Sequence, residues 1–411
     1  MHGHEAELLT TTFLMLSAIG CGLVLKLVKQ PPLVGYILAG LFIGPSGMGL
    51  IDYSAEISSL AELGIILLLF IIGMELSVKA FLTVVRPAVI ATMAQILCSI
   101  LLAFLVSFYF SWSAPQILLV GFILTLSSTA VALMVLEQLG LLRAHVGQLT
   151  VGVLVAQDIA VVPMLVFAGA GAGMLADWPL LVTRIGLAVT VLGVLLFWIA
   201  RTARLRLPFV QGLEDNIELS VLLGLGLCFM AASLTGFMGL SPVFGAFCAG
   251  LAVSHTNLRK PILEATHPLQ SLLIVIFFVS IGLLVDLNYV TTHWGVILLV
   301  TVTVLCLKTI LGWVLLYAGG EPAGRALVSS LITPQIGEFS FVLTTTGVAS
   351  GIFVSKEADF LLAVIAASLF VSPLWTTVLH YLVVRSKIHL AGEPPATMNL
   401  RTHGRTRRVS H

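Results

Sequence analysis

The chain has 411 residues, 59% of them hydrophobic and 9% charged, with a mean hydropathy of +1.11, whereas soluble domains carry roughly 25% charged residues. Apolar runs long enough to cross a hydrocarbon core of ~30 Å recur from Leu8 to Val384 without the period-two patterning of a barrel, so the chain reads as a one-domain, all-α polytopic membrane protein. The net charge of +1 says nothing about nucleic acid, but the interleaving of basic and aromatic residues that binds it is missing, so no nucleic-acid partner is expected.

Taking Gly, Pro and charge clusters as breaks gives about thirteen predicted transmembrane helices, at 8–25, 33–50, 57–76, 87–110, 115–137, 147–171, 178–200, 216–236, 241–254, 269–286, 293–318, 324–350 and 359–384. The start, MHGHEAELL, is acidic and no small-residue cleavage site follows its apolar run, so the first span is expected to be retained and not removed as a signal peptide. His2 and His4 read as part of a frayed terminus. Glu62 and Glu75 bracket the third span, and Glu75 to Lys79 is expected to form an interfacial i to i+4 pair. His145 and His255, near helix ends, read as solvated loop histidines. Cys21, Cys98, Cys228, Cys248 and Cys306 lie singly in apolar segments, without the spacing of a disulfide framework or a metal site.

Charge sets the expected orientation, because cytoplasmic loops collect Lys and Arg. With the N-terminus outside, the inner loops hold Lys26, Lys29, Lys79, Arg86, Arg143, Arg201, Arg204, Arg206, Arg259, Lys260, Arg325 and the tail from Arg385 to Arg408. The outer loops hold little but Lys356, with Arg184 near an outer helix end. This division predicts a multi-pass protein of the cytoplasmic membrane with its basic tail, 386–411, inside against lipid or solvent.

Self-similarity appears at a long offset. VGYILAGL at 34–41 resembles FGAFCAGL at 244–251, and VAQDIAVVPM at 155–164 resembles IAASLFVSPL at 365–374, both displaced by 210 residues; FIIGMEL at 70–76 falls near VSIGLLV at 279–285, displaced by 209. The displacement spans an odd number of helices, so equivalent helices run in opposite senses. The predicted domain, 1–385, is therefore two inverted six-helix repeats, 8–171 and 216–384, joined by a linker helix at 178–200.

Inverted repeats place substrate near the midplane at discontinuous helices in matching positions. The fifth span contains LTLSSTAVAL with Thr125, Ser127, Ser128 and Thr129, and the twelfth contains ITPQIGEFSF with Pro334, Gln335, Gly337 and Glu338. Pro334 removes a backbone donor and Gly337 relaxes the helix, so these are the expected broken, crossing helices. Asp158 lies mid-span in the sixth helix, where a carboxylate costs at least ~2.5 kcal/mol and persists only with a partner or a task. Its repeat mate is Ser368. Burial favours the protonated acid and a bound cation favours the ionised one, so a single group can trade a proton for a metal ion. Lys308, the only Lys or Arg well inside a span, is expected to neutralise Asp158 or Glu338 or to hold the crossing together as a fixed charge. Glu338 either binds ion or pairs with Lys308.

At these residues the sequence resembles the monovalent cation:proton antiporters, and within them the Kef-type potassium branch. The resemblance rests on LVGYILAGLFIGPSGMGLI, ELGIILLLFIIGMELS, LTLSSTAVAL, VAQDIAVVPML, IFFVSIGLLVD and ITPQIGEFSFVL, in order and spacing over about residues 10–385. It implies the sodium/proton antiporter-like fold, a dimerisation unit, a mobile core moving like an elevator, and a homodimer. It makes Asp158 the cation and proton carboxylate, Gln157, Ser127, Ser128 and Thr129 its neighbours, Lys308 the core basic residue and Glu338 the acid of the Gly-Glu-Phe motif. Gln157-Asp158 stands where sodium exchangers tend to carry two aspartates, which favours K⁺ over Na⁺ and electroneutral exchange for H⁺. After Val384, Kef proteins carry a nucleotide-binding domain where this sequence continues as a short basic tail, so such regulation is expected only if a separate subunit supplies it or the chain is truncated. No cofactor is called for beyond the transported ions. A passive K⁺ channel is the rival reading, but no TVGYG-type filter is present, and an enzyme would need a nucleophile with a base, or H-E-x-x-H spacing, neither of which occurs.

Overall fold

The computed structural model describes residues 2–27, 32–51, 54–75, 78–142, 144–171, 178–202, 216–238 and 240–385. The predicted basic tail lies outside them. Fifteen helices fill the described residues: α1 (His2–Leu27), α2 (Pro32–Ile43), α3 (Ala55–Glu75), α4 (Val78–Phe110), α5 (Ala114–Thr125), α6 (Thr129–Gln138), α7 (His145–Ala170), α8 (Trp178–Arg201), α9 (Ile217–Phe237), α10 (Pro242–Ser254), α11 (Arg259–Leu284), α12 (Leu287–Ala318), α13 (Ala323–Ile332), α14 (Phe339–Ala349) and α15 (Ser355–Arg385). Each predicted span holds one helix, except the fifth and the twelfth, which are each split into two, α5 with α6 and α13 with α14. Among the described residues seven helices are long and apolar enough to cross a membrane unaided, and α2, α5, α10, α13 and α14 are shorter apolar helices.

Local chemistry fixes many of the ends. Pro32 and Pro242 open α2 and α10, where a missing N–H costs nothing. Asp286 caps α12 by accepting from Asn288 N and Tyr289 N, and Asn216 caps α9 by accepting from Leu219 N. Gly171 ends α7 at φ +89°, a conformation that side chains resist. Several boundaries differ from expectation: α1, α4 and α12 begin earlier, at His2, Val78 and Leu287, with Pro87 inside α4. The second span stops at Ile43 and turns through Gly44 and Gly47. The tenth begins at Arg259 and not at 269, because Ile262 and Thr266 in its polar first half are buried against Gly224 of α9, and packing outweighs composition there. The expected Glu75 to Lys79 pair does not share a helix, since Glu75 closes α3 and Lys79 belongs to α4.

The helices sort into two bundles, each drawing on both halves of the chain. In the scaffold bundle α2 packs on α1 and α11, α3 on α10 and α11, and α9 on α10 and α11. In the core bundle α4, α5, α6 and α7 pack among α12, α13, α14 and α15, and α8 lies across both. The scaffold is held by two equivalent glycine crossings. A Cβ on Gly40 of α2 would overlap the carbonyl of Val279 and one on Gly282 of α11 that of Ile37, while one on Gly250 of α10 would overlap the carbonyl of Phe70 and one on Gly73 of α3 that of Phe247. Gly40 with Gly250, and Gly73 with Gly282, are the positions that the long-offset matches relate. The recurring Ala-Gly-Leu and Ile-Gly words therefore mark where backbones touch, the small-residue packing of membrane helices. Large apolar side chains such as Leu97, Phe108, Leu222 and Phe237 face outward from the bundles, as a lipid solvent requires.

Candidate functional site

The core bundle is centred on two unwound segments. Residues 126–128 part α5 from α6, and 333–338 part α13 from α14. Leu126 and Ser128 are extended, and the segments cross as a single antiparallel bridge between Ser127 and Ile336. Gly337 N donates to Leu126 O at 3.1 Å, and Ser127 Oγ to Thr333 O at 2.8 Å. Pro334 has no N–H to continue α13. Gly337 lets the strands meet, for a Cβ there would stand 2.6 Å from Ser127 O and 2.7 Å from Ser127 C.

Unwinding frees backbone groups, and their polarity sorts the charges around the crossing. The carboxyl ends of α5 and α13 point negative dipole ends at it, and the amino ends of α6 and α14 point positive ones. Lys308 of α12 answers the first: its Nζ donates to Leu126 O at 2.6 Å and to Gln335 O at 3.3 Å. The acids gather at the second. Asp158, only 7% exposed in mid α7, accepts from Thr129 Oγ1 at 3.2 Å, in the first turn of α6. Glu338 stands at the amino end of α14 with Oε2 buried and without a hydrogen-bond partner; the Ser128 hydroxyl faces its carboxyl, and Asp158 lies within electrostatic range of it. Gln157 is held on both sides, its Oε1 accepting from Ser127 N at 3.0 Å and its Nε2 donating to Gln95 Oε1 at 2.8 Å.

The structure thus brings together Asp158, Gln157, Ser127, Ser128, Thr129, Pro334, Gln335, Gly337, Glu338 and Lys308. Of the two roles expected for Lys308, the geometry matches the fixed charge that holds the crossing and not the pairing with an acid. Among the described residues ion pairs join His145 to Glu321 and Lys260 to Glu264, and none joins Lys308 to Asp158 or Glu338, because the carbonyls released by both breaks occupy the ammonium. His255 is also corrected: it is 4% exposed and meets the Trp198 ring edge-on, where a solvated loop residue was expected. His145 is solvent-exposed as expected and reaches Glu321 at 3.3 Å. Gln95, the only amide in α4, carries a signal of the same kind as Asp158 that points to the site, and Ser368, the repeat mate of Asp158, has a task there, since its Oγ accepts from Ile336 N at 3.1 Å.

A cavity of about 620 Å³ opens between the bundles at one end, lined from the scaffold by residues such as Glu62, Ser241 and Phe277 and from the core by Leu165, Val342 and Asp359. Leu165 is two helical turns, about 10 Å, beyond Asp158, and Val342 one turn, about 6 Å, beyond Glu338. The donors at the crossing are carboxylate and hydroxyl oxygens, suited to hard cations, and among the described residues no group of three or more His, Cys, Asp and Glu could hold a metal ion.

The family model described as "Sodium/hydrogen exchanger, transmembrane" matches residues 13–380. The chain belongs to that family. The exchanger is 37% identical over 375 residues to "Iron transporter MagA" of Paramagnetospirillum magneticum, spanning 91% of this chain and 86% of that protein. It is 30% identical over 368 residues to "K(+) efflux antiporter 4" of Arabidopsis thaliana, covering 88% of this chain but 62% of the plant protein's length. Its fold is that of the sodium proton antiporter MjNhaP1 from Methanocaldococcus jannaschii, with a TM-score of 0.67 at 18% identity over 96% of this chain and 100% of that one. The exchanger is a multi-pass membrane protein with the cation:proton antiporter domain of the Kef type, in a family of transporters.

Proposed function

We propose that the exchanger moves a monovalent cation, K⁺ in preference to Na⁺, against protons across the cytoplasmic membrane, one for one. The observation that carries this reading is Asp158: a carboxylate buried beside a helix break, hydrogen-bonded by Thr129 and ion-paired with no ammonium among the described residues. Protonated, it is neutral. With a cation in place of the proton it is neutral again, and ionised and empty it leaves an uncompensated charge that opposes movement through the membrane. That difference couples the two fluxes. K⁺ is favoured because Gln157, beside Asp158, is a neutral amide fixed by Gln95 and Ser127 and adds no second titrating acid at that place; the plant relative's name points the same way.

The cavity between the bundles supports an elevator-like cycle in which the core slides along the scaffold and exposes the crossing to each side in turn. Counting each broken pair as one pass makes thirteen crossings, and the charge of the loops puts the N-terminus outside and the C-terminus in the cytoplasm. A homodimer is proposed through the scaffold, where α1 and α9 turn Phe13, Leu16, Leu222 and Met230 outward. The second reading keeps the mechanism and exchanges K⁺ for Na⁺, favoured by the family description and by the solved antiporter of the same fold.

Reconstitution tests both. In proteoliposomes an imposed K⁺ gradient drives proton flux that Asp158→Asn abolishes; parental rates in Asp158→Asn overturn the assignment, and current without proton flux makes the protein a channel. Apparent affinities for K⁺ and Na⁺ separate the two readings.

A further inference from the structure

One-for-one exchange uses a single acid, and the crossing holds two. In that cycle Glu338 does no more than stay protonated. Its setting is that of a ligand. Oε2 is buried with no hydrogen-bond partner, the Ser128 hydroxyl faces the carboxyl, and Asp158 lies within electrostatic range on α7. Lys308, the ammonium that could neutralise it, is held by Leu126 O and Gln335 O. Buried polar atoms kept for structure are nearly always matched, because an unmatched one costs about 1–3 kcal/mol. The neighbours follow that rule: Ser368 accepts from Ile336 N and donates to Ile365 O, and Gln157 is bonded at both ends of its amide. Glu338 Oε2 departs from it, as do Thr301 Oγ1, Ser372 Oγ and Trp375 Nε1, and of these it is the one carboxylate oxygen and the one at the crossing, where a transported ion would sit. The donors around it, two carboxylates and the hydroxyls of Ser128 and Thr129, are all hard oxygens, the set that suits Mg²⁺ and Mn²⁺.

We infer that Asp158 and Glu338 together bind one divalent cation in place of a monovalent cation and a proton, so that the exchanger also carries a divalent cation against two protons. Charge balances in every loaded form. Two protonated acids are neutral, a monovalent cation on ionised Asp158 beside protonated Glu338 is neutral, and a divalent cation shared by two carboxylates is neutral. Each divalent ion that enters displaces two protons, and no electron moves. The inference rests on the antiport reading for its proton coupling and gives Glu338 a part in selecting the ion.

Mn²⁺ alone is the probe. The full chain is reconstituted with a lumenal pH dye, in medium free of K⁺ and Na⁺ and with the membrane potential clamped. A Mn²⁺ gradient is expected to drive two protons in the opposite direction per ion. In Glu338→Gln the ratio of Mn²⁺-driven to K⁺-driven initial rates falls by at least about tenfold, as loss of a single ~1.4 kcal/mol ligand contribution requires, and Mn²⁺ raises the melting temperature of the parental protein but not of the variant. Glu338→Asp keeps a carboxylate and retains the Mn²⁺ response, which covers the case in which Glu338→Gln fails to fold. Parental protein that exchanges K⁺ but neither exchanges nor is stabilised by Mn²⁺ overturns this inference and leaves the monovalent reading standing. A Glu338→Gln variant whose Mn²⁺ and K⁺ rates fall by one common factor also overturns it. Absence of proton flux with K⁺, Na⁺ and Mn²⁺ alike overturns the antiport reading itself.

Discussion

Gly337→Ala adds one methyl group at the point where the two unwound segments touch. The new Cβ would stand 2.6 Å from Ser127 O, 2.7 Å from Ser127 C and 3.1 Å from Ser128 N, all backbone atoms that cannot rotate away. Gly337 is not among the glycines at positive φ, so the objection is steric alone. Relief requires the segments to part by about 0.6 Å, which stretches the 3.1 Å bond from Gly337 N to Leu126 O past hydrogen-bonding range. Overpacking costs ~1–3 kcal/mol, and the lost hydrogen bond adds about 1 kcal/mol. At ~1.4 kcal/mol per decade, even about 2 kcal/mol lowers the ratio of intact to parted crossing roughly 30-fold. The assay is cation-driven proton flux in proteoliposomes, with thermal unfolding in detergent beside it. Gly169→Ala in α7 is the control, because a Cβ there meets nothing within 4 Å and helix propensity alone makes the change neutral or stabilising by up to ~1 kcal/mol. If Gly337→Ala matches Gly169→Ala in both flux and melting temperature, the close approach of the two segments has no functional weight and the reasoning fails.

Gln95→Leu deprives Gln157 Nε2 of its 2.8 Å partner; leaving a buried amide donor unmatched costs ~1–3 kcal/mol, so the apparent KM for the cation rises by about tenfold or more, which initial rates against cation concentration will measure. Gly250→Leu drives a side chain into the carbonyl of Phe70 and separates α3 from α10, so the variant should elute as aggregate in size-exclusion chromatography, whereas Gly226→Leu, with open space around it, should not. Protons and cations competing for Asp158 set the sign of the pH dependence: below the carboxyl's pKa, apparent KM rises about tenfold for each unit of falling pH, and above it levels off. A KM that does not rise with falling pH at any pH at which proton flux persists removes Asp158 as the shared site. Lys308→Met takes the ammonium from Leu126 O, which keeps its bond from Gly337 N, and removes the donor to Gln335 O; at ~1–3 kcal/mol for one unmatched buried group the melting temperature should drop by a few degrees, a loss that Lys308→Arg partly restores.

Much of this architecture is legible in the sequence because membranes enforce it. Apolar runs must be helices, and Pro334 with Gly337 announces a break that the chain repeats at Ser127 and Ser128. Asp158 declares itself by its cost. Partnership is less legible. Lys308 looks like the counter-ion of Asp158 because opposite charges on neighbouring spans invite the pairing, yet the carbonyls that capture it carry no sequence signal of their own; only unwinding turns them into ligands. Gln95 escapes attention because an amide in a span is cheaper than an acid and its partner is set by the packing of α4 on α7. His255 reads as a loop residue by position and is buried by Trp198, which approaches from a distant part of the chain.

The paired glycine crossings of α2 with α11 and α3 with α10 bear on how such a molecule can be assembled. Each joint takes one helix from the first half of the polypeptide and one from the second, so neither half contains both faces of any joint. A fragment ending before α8 would enter the bilayer with its glycine grooves unfilled. It could fill them only against the missing half, or against another copy of itself.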